Sequence, residues 1–342
     1  MALQEFSVMK KLLTLAAAIA APLAAQAAEP IQLKFGSAIP AIGWPNTMAV
    51  VPWSEQVEKD SGGAVKFTLF AGRSVVSSQN GLDRMQNGVV DALYGTMSDT
   101  PGQFLRSDVS SMPFEVNKSV DASTALWHLY EKHYIDMEYT AFHPLAIFVF
   151  NASRIHANRP IQSAEDLKGL KVAVFSRMLA DIVNDIGGTP VTVATTELYE
   201  TMQRNLAQVE IMGWTGTQTF KVTEVTKYHL DVPLGSSPGY MLMNKQSYAK
   251  LPDVAKAAID KKAGLPFTLL MARSSDTVEA QVRERTKALP GHTVAELSPA
   301  ELARWKKMVA PLVDEWVKAT PDGAKVLAAY RKELAELHAK TN

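Results

Sequence analysis

One arginine and several aromatic residues stand near the ends of predicted strands, where they could bind a small anionic solute. Arg177 follows the predicted strand 170–174 and begins a predicted helix. Its guanidinium can hold a carboxylate through two parallel hydrogen bonds, and the helix N-terminus adds partial positive charge. Ligands of α/β proteins bind at the carboxyl ends of strands. We therefore expect Arg177 to bind a ligand carboxylate, with a surface salt bridge as the alternative.

Further candidates occupy comparable positions near strand ends: Trp44, Thr96, Asn151, Met212, Trp214 and Tyr240. The two tryptophans could stack on a ligand ring or could be core residues, and the tyrosine could donate its hydroxyl. The set is aromatic with few charges. It therefore predicts a ligand with an apolar or aromatic body.

Two other kinds of site fit the residues less well. Residues 235–239 have the letters G-x-S-x-G of a hydrolase, but Pro238 follows Ser237 and has no N–H for an oxyanion hole. A secreted hydrolase stays the alternative function. His128 and His133 are five apart, so their rings diverge by about 140° on a helix. We predict no catalytic residues, no metal site and no cofactor.

The N-terminus has the pattern of an export signal. Residues 9–11 supply positive charge, 12–24 are apolar, and 25–27 form an A-x-A cleavage site. We predict a signal peptide over residues 1–27 that is cleaved near Ala27. The mature protein is then expected in the periplasm.

Composition excludes several classes of protein. The chain has 35 basic and 35 acidic residues, so it lacks the positive surplus that binds nucleic acid. It has no cysteine, which excludes disulfides and thiolate metal sites.

Hydrophobic periodicity predicts two series of alternating strands and helices, and therefore crossover connections in largely parallel sheets. The first series has strands at 31–35, 65–69, 91–97 and 143–150 and helices near 78–88 and 120–133. The second has strands at 170–174, 190–194 and 209–213 and helices at 177–187 and 196–204. Residues 225–232 and 240–243 are expected to return the chain to the first lobe. An apolar stripe predicts a packed C-terminal helix: Leu302, Trp305, Val309, Leu312 and Trp316.

Several stretches, taken in their order, resemble one family. They are Ser61-Gly62-Gly63-Ala64-Val65-Lys66-Phe67, Asn87-Gly88-Val89-Val90-Asp91, Thr100-Pro101-Gly102-Gln103-Phe104, Met112-Pro113-Phe114, Glu165-Asp166-Leu167-Lys168-Gly169-Leu170-Lys171-Val172 and Gly187-Gly188-Thr189-Pro190-Val191. From about residue 31 to 290 the chain resembles the solute receptors of tripartite ATP-independent periplasmic (TRAP) transporters, the DctP-like family. The resemblance implies an α/β, two-lobed periplasmic binding protein-like clamp. Each lobe would have a mixed, mostly parallel sheet with flanking helices, and long helices would follow at the C-terminus.

The chain departs from this family at positions that bear on the ligand. Many members have an arginine where this chain has Ala173, and one branch has an arginine where it has Gln103. An aspartate–glycine pair is replaced by Gln208-Val209. Arg177 matches an arginine of one branch. The resemblance thus implies the family fold with altered ligand chemistry. Because arginines are missing at Ala173 and Gln103, we expect a monocarboxylate rather than a dicarboxylate, with an apolar or aromatic body.

The resemblance also implies the domains and partners. Lobe I would comprise 28–150 with elements from about 236–290, and lobe II would comprise 151–235. C-terminal helices from about 291–340 would brace both lobes. The receptor would be a monomer that delivers a small organic acid to membrane permease subunits. Delivery to a sensor rather than a transporter is the alternative that sequence leaves open.

Overall fold

A computed structural model describes residues 29–115 and 118–341. The predicted signal peptide and its cleavage site lie outside these described residues. Within the two ranges, no helix has the length and apolar character needed to cross a membrane.

Strands and helices alternate along the described chain. The strands are β1 (Ile31–Ser37), β2 (Val65–Ala71), β3 (Ala92–Thr96), β4 (Phe142–Val149), β5 (Arg154–Ala157), β6 (Lys171–Val174), β7 (Thr189–Thr192), β8 (Val209–Met212), β9 (Tyr228–Asp231), β10 (Pro238–Asn244) and β11 (Thr293–Glu296). The α-helices are α1 (Val51–Asp60), α2 (Gly81–Gln86), α3 (Ser119–Glu131), α4 (Arg177–Ile186), α5 (Leu198–Gln203), α6 (Trp214–Thr219), α7 (Lys245–Ala249), α8 (Asp253–Lys262), α9 (Leu265–Lys287), α10 (Pro299–Ala319) and α11 (Gly323–Thr341).

The first sheet has the order β2-β1-β3-β10-β4. Strands β1, β2 and β3 run parallel, and helices α1 and α2 provide the crossovers that parallel neighbours require. Strand β10 enters antiparallel between β3 and β4, as the predicted return strand at 240–243 required. Leu33 and Phe35 alternate with exposed residues along β1 and are buried in the core.

The second sheet has the order β11-β9-β5-β8-β6-β7. Strands β6, β7 and β8 are parallel, while β5 runs antiparallel to both β8 and β9. The prediction that residues 225–232 return to the first lobe is wrong, because β9 pairs with β5 and β11 in this second sheet. The sequence did not predict β5 or β11, since each has only four residues and little alternation.

Helix α9 contacts both sheets. Near its N-terminus, the Phe267 ring stacks on Trp53 of the first half, with centroids 4.6 Å apart. Near its C-terminus, Arg283 donates from Nε to Asp231 of β9 at 2.5 Å. Asp231 also accepts from Arg154 of β5 at 2.8 Å. One helix of 23 residues therefore holds the two sheets in a common frame.

The predicted C-terminal stripe lies on α10. Trp305, Val309 and Leu312 are buried in the large hydrophobic cluster, and α10 packs against α4 and α11. The prediction of a packed helix is thus confirmed.

Candidate functional site

A cavity lies between the ends of the two sheets. It contains about 970 Å³ of empty space, counted to its open mouth. The first sheet contributes the end of β3 and the start of β10, and the second contributes the end of β8 and much of α6. Ligand pockets are concave, mostly apolar and often lie where two parts of a protein meet, so the position of this cavity suits a small organic solute.

Aromatic side chains from both halves line the cavity. Trp44 follows β1 and is 8% exposed, and its ring meets Phe150 edge-to-face at 6.0 Å. Phe175 after β6 and Phe220 after α6 line the opposite side. These rings give a flat apolar solute surfaces on two sides.

Tyr240 packs across the first sheet beside the cavity. It pairs with Gly95 of β3, and a Cβ added to Gly95 would lie 2.6 Å from the tyrosine ring. Only glycine therefore permits this close approach. Burial raises the pKa of the Tyr240 hydroxyl far above its ordinary value, so this group stays neutral. Tyr240 thus lines the cavity as the sequence predicts.

Thr96 forms hydrogen bonds with Asp99, the one acidic residue in the described lining of the cavity. Its hydroxyl donates to Asp99 Oδ2 at 2.8 Å, and its N–H approaches the same oxygen at 3.4 Å. These contacts form a capping box around the short 3-10 turn that follows β3. Burial raises the pKa of the Asp99 carboxyl, while the hydrogen bonds from Thr96 oppose this rise.

Helix α6 forms much of the opposite side and is joined to α9. Met212 ends β8, and the N–H of Thr215 donates to Glu279 Oε2 of α9 at 2.9 Å. The second oxygen, Oε1, is cut off from solvent and has no hydrogen-bond partner. Burial raises the pKa of Glu279 to about 7. A titratable carboxyl thus holds a helix whose residues line the cavity.

Asn151 lines the cavity, but its amide group is engaged by α9. Its Nδ2 donates to Asp276 Oδ1 at 2.6 Å, and its Oδ1 accepts from Ser275 at 2.8 Å. The residue therefore fixes the connection between β4 and β5 as well as bordering the cavity.

The described lining has a distinctive charge. Asp99 is its one residue with an acidic side chain, and it contains no arginine, lysine or histidine. The other polar groups are mostly hydroxyls: Ser77, Ser78, Thr96, Ser98, Ser153, Thr195, Thr215, Thr219 and Ser237. Hydroxyls can both donate and accept hydrogen bonds, so the cavity can bind neutral polar groups without a basic residue.

Arg177 lies outside this lining. The Ser176 hydroxyl accepts from Leu179 N at 3.2 Å and caps α4, so Arg177 becomes the first helical residue. Its side chain is 91% exposed, and its nearest acidic partner is Asp181 at 3.6 Å. Phe175, two residues earlier, does line the cavity. The structure therefore leaves Arg177 in solvent, although the chain next to it borders the site.

Trp214 also lies outside the cavity lining. It is 1% exposed, and its ring packs against His156 and His229, at centroid distances of 4.5 and 5.0 Å. The start of α6 turns this side chain into the core, so the ring does not line the cavity, and its stacking on a ligand stays a prediction.

Three histidines form a chain of hydrogen bonds beneath Trp214. His156 Nε2 lies 3.1 Å from the Met212 carbonyl, and its Nδ1 lies 2.8 Å from His229 Nδ1. His229 Nε2 in turn lies 3.1 Å from His292 Nδ1. Because a carbonyl only accepts, His156 must carry its proton on Nε2, and each following Nδ1 must donate. Burial lowers the pKa of His229 to about 4, which keeps this histidine row neutral.

Glu210 lies on the same face of the second sheet as His156. It is the register partner of His156 on β5 and of Ala173 on β6. Both of its carboxyl oxygens are buried without a hydrogen-bond partner, and burial raises its pKa well above the ordinary value. Ala173 stands where the family resemblance implies an arginine, so the Glu210 carboxyl beside it has no basic partner at that position.

The structure also bears on the other sites weighed from sequence. Among the described residues, no group of three or more His, Cys, Asp or Glu side chains is arranged to hold a metal ion. His128 binds Glu333 at 2.9 Å, and His133 lies beyond the end of α3. Ser237 lines the cavity, but Pro238 opens β10, so this segment lacks the strand–turn–helix setting of a hydrolase nucleophile.

Sequence reasoning missed Asp99 and three of the lining phenylalanines. Phe150, Phe175 and Phe220 each directly follow a strand or a helix. The strand-end rule that selected Asn151 would also have found Phe150 and Phe175. The signal for Asp99 is its spacing of three from Thr96, which is that of a capping box.

The chain matches a family model described as bacterial extracellular solute-binding protein, family 7, over residues 37–319. It is 26% identical over 324 residues to the C4-dicarboxylate-binding periplasmic protein DctP of Rhodobacter capsulatus, covering 90% of this chain and 92% of the relative. It is also 26% identical to a protein of Comamonas testosteroni named outer membrane transporter protein TsaT, covering 95% and 98% of the two chains.

A solved structure has the same fold. It is a TRAP solute binding protein from a marine metagenome, described as specific for aromatic acid ligands and crystallised with 3-hydroxybenzoate. The two chains superpose with a TM-score of 0.85 at 27% identity, over 90% of this chain and 98% of the other. The two-sheet α/β architecture predicted from sequence is thereby confirmed.

Proposed function

The chain belongs to family 7 of the bacterial extracellular solute-binding proteins, and from this premise we propose that it binds a small aromatic monocarboxylate as the receptor of a TRAP-type transporter. This proposal rests mainly on the cavity between the two sheets. Its described lining presents aromatic rings from both halves and a single acidic group. A flat apolar body fits such a cavity. A second carboxylate near Asp99 would be repelled, which favours one carboxylate over two.

The metagenomic relative supports this ligand class. Its description names aromatic acids, and it shares 27% identity over 90% of this chain. The Rhodobacter relative, whose name states C4-dicarboxylates, has similar identity. Family membership alone therefore does not choose between the two ligand classes, and the choice rests on the cavity lining of this chain.

Arg177 is proposed to bind the ligand carboxylate at the mouth of the cavity when the two halves close. Its guanidinium is unconstrained by any close ion pair, and it follows the lining residue Phe175 by two positions. Closure would transfer an exposed charge to a less solvated position, where a bidentate bond to a carboxylate is stronger. The lining hydroxyls would complete the polar contacts.

Closure requires two lobes that move about a hinge. We propose lobe I as residues 28–150 with about 236–290, and lobe II as 151–235, with C-terminal helices from about 291–340 bracing both. Sheet membership supports this division, because β1 to β4 and β10 form one sheet, while β5 to β9 form the other together with β11 from the C-terminal segment. A ligand that contacts both lobes would shift the equilibrium toward the closed state.

The cellular role follows from the family. We propose that the signal peptide is removed near Ala27, that the mature monomer works in the periplasm without nucleic acid, and that it delivers its ligand to membrane permease subunits. Delivery to a sensor would use the same clamp. Adjacent genes for one small and one large membrane subunit would favour transport.

The test is a ligand screen by thermal shift, followed by calorimetry on the mature chain from Ala28. The panel holds aromatic acids, 2-oxo acids, C4-dicarboxylates, sugar acids and neutral sugars. A ligand at 100 times its dissociation constant adds about 2.7 kcal/mol to stability, so a true ligand gives a clear shift. Tight binding of a C4-dicarboxylate with weak binding of every monocarboxylate would contradict the proposal.

Two arginine variants then test the carboxylate contact. Arg177→Ala is expected to weaken binding of the aromatic acid by roughly 2–5 kcal/mol, as when one partner of a buried charge pair is removed. Arg204→Ala is the matched control, because Arg204 also forms a loose pair one helical turn away, at 3.8 Å, and does not line the cavity. Equal affinity of wild type and Arg177→Ala would remove Arg177 from the site.

A further inference from the structure

The described lining of the cavity contains a single carboxylic acid side chain, that of Asp99. Asp99 lies in the turn after β3, on the first-sheet side. The described lining offers it no basic side chain as a partner. A buried carboxylate is costly unless hydrogen bonds satisfy it, so its partners decide what the cavity can accept.

The hydrogen bonds around Asp99 leave part of it available. The hydroxyl of Thr96 donates at 2.8 Å and its N–H approaches at 3.4 Å, both to Oδ2. Ser78, which also lines the cavity, lowers the pKa of the carboxyl. An ionised carboxylate can accept about four hydrogen bonds, so at least one acceptor position remains on a side chain that borders the cavity.

We propose that Asp99 is a specificity-determining residue that accepts a hydrogen bond from a hydroxyl or ammonium group of the ligand, so that the receptor prefers aromatic solutes that carry such a donor. This inference rests on the proposed function and deepens it. The ligand would carry its carboxylate toward the mouth and its donor toward Asp99.

Asp99 can discriminate where the other polar groups cannot. The lining hydroxyls rotate to donate or accept, so they tolerate either kind of ligand group. An ionised carboxylate only accepts, and it repels a second anionic group nearby. A donor on the ligand removes the cost of leaving the last acceptor position unfilled, whereas a methoxy group at the same place leaves it unfilled.

The experiment measures affinity by calorimetry for matched ligands on wild type and Asp99→Asn. The ligands are benzoate, 3- and 4-hydroxybenzoate, and the two corresponding methoxybenzoates. At least one hydroxybenzoate should bind the wild type roughly 10- to 100-fold more tightly than benzoate, as expected for a hydrogen bond to a charged group. Its methoxy analogue should lose that gain.

Asp99→Asn should abolish the preference without abolishing binding. The Thr96 donors will face the amide oxygen of the new side chain, so its NH₂ group will face the cavity and cannot accept. An amide NH₂ can donate to a hydroxyl or to a methoxy oxygen, so the preference for the hydroxybenzoate over its methoxy analogue should then fall below about twofold. Asp108→Asn is the matched control, since Asp108 is an acid of the same lobe that bonds to Ser111 and does not line the cavity.

The outcomes separate this inference from the proposed function. Binding of aromatic acids with no hydroxyl gain, or with a preference for the hydroxybenzoate over its methoxy analogue that survives in Asp99→Asn, would overturn the role of Asp99 alone. If no acid binds, 3-hydroxybenzyl alcohol and tyramine are tested next. Binding of either in an Asp99-dependent manner would refute the acid ligand and keep the inference. Failure of every compound to bind the wild type would overturn both.

Discussion

The two sheets on either side of the cavity bury polar groups in different ways. Behind the first sheet the core is apolar, with Trp53 stacked on Phe267 and packed against Phe35. Behind the second sheet lie the histidine row and Glu210, whose carboxyl has no hydrogen-bond partner. The packing behind the first sheet is therefore apolar, whereas the second sheet buries polar groups and a titratable carboxyl in its core.

This difference indicates how each wall of the cavity responds to its surroundings. Apolar burial depends little on pH, so the packing of Trp53, Phe267 and Phe35 should be unaffected across the physiological range. Helix α6 on the opposite wall is held by Glu279, whose pKa is about 7. Four changes test the comparison.

The largest effect should follow Trp53→Ala. The substitution removes the ring that stacks on Phe267 and should lower the free energy of unfolding by about 3–5 kcal/mol. The loss should be the same at pH 5 and pH 8, because no titratable group is involved. Chemical denaturation at both pH values measures it, with exposed Glu55→Ala on the same helix as the control. A strongly pH-dependent loss of stability would contradict the inference that the packing behind the first sheet is independent of pH.

Glu279→Gln should change how stability depends on pH. The pKa of Glu279 in the folded state lies above its ordinary value. The protonated carboxyl therefore contributes to folding stability below about pH 4.5, and this contribution is lost as the pH rises through about 7. Moving the pKa from 4.5 to about 7 corresponds to about 3 kcal/mol. The variant should gain stability relative to wild type by up to this amount between pH 4 and pH 8. Glu284→Gln, on the exposed side of α9, should show no such trend.

Glu210→Met should stabilise the protein at pH 8. It replaces a carboxyl without partners by an apolar side chain of similar size, and relief of such a group is worth about 1–3 kcal/mol. The gain should shrink at pH 5, where the raised pKa keeps the carboxyl protonated in the folded state. Melting curves at both pH values measure it. A destabilised variant at pH 8 would show that Glu210 has a partner that only the protein in solution reveals.

The smallest effect on stability is expected for Arg177→Ala without ligand. Its exposed pair with Asp181 at 3.6 Å contributes little, so the unfolding free energy should change by less than about 0.5 kcal/mol. Thermal melts of the ligand-free protein measure this. A larger loss would place Arg177 in the framework and not in ligand binding.

Local pattern predicted most of the fold. Alternation along β1 and β2, the apolar pattern of β4 and the helical spacing on α10 placed these elements within a few residues. Pairing partners were harder, because alternation says which face of a strand is buried but not which strand lies beside it. Strand β9 was therefore assigned to the wrong sheet. Strand β5 was missed because it has only four residues and one of its two buried faces carries Arg154 and His156.

The site was only partly predictable from sequence. Trp44, Thr96, Asn151, Met212 and Tyr240 do line the cavity, since strand ends mark the edge where ligands gather. The rule fixes the position of a backbone and not the direction of a side chain. Helix geometry turns Trp214 inward and Arg177 outward, although both begin a helix directly after a strand. Whether these lining residues contact the ligand stays a prediction.

Helix α9 fixes both sheets, yet none of its residues lines the cavity in the described chain. The framework and the recognition surface are thus built from different residues. Substitutions in the turns after β1 and β3, or in α6, can alter the ligand without loosening the contacts that hold the halves together. Relatives can therefore acquire new ligands through a few substitutions in these turns. Substitutions in α9 or in the core behind it would instead weaken the contacts that hold the fold together.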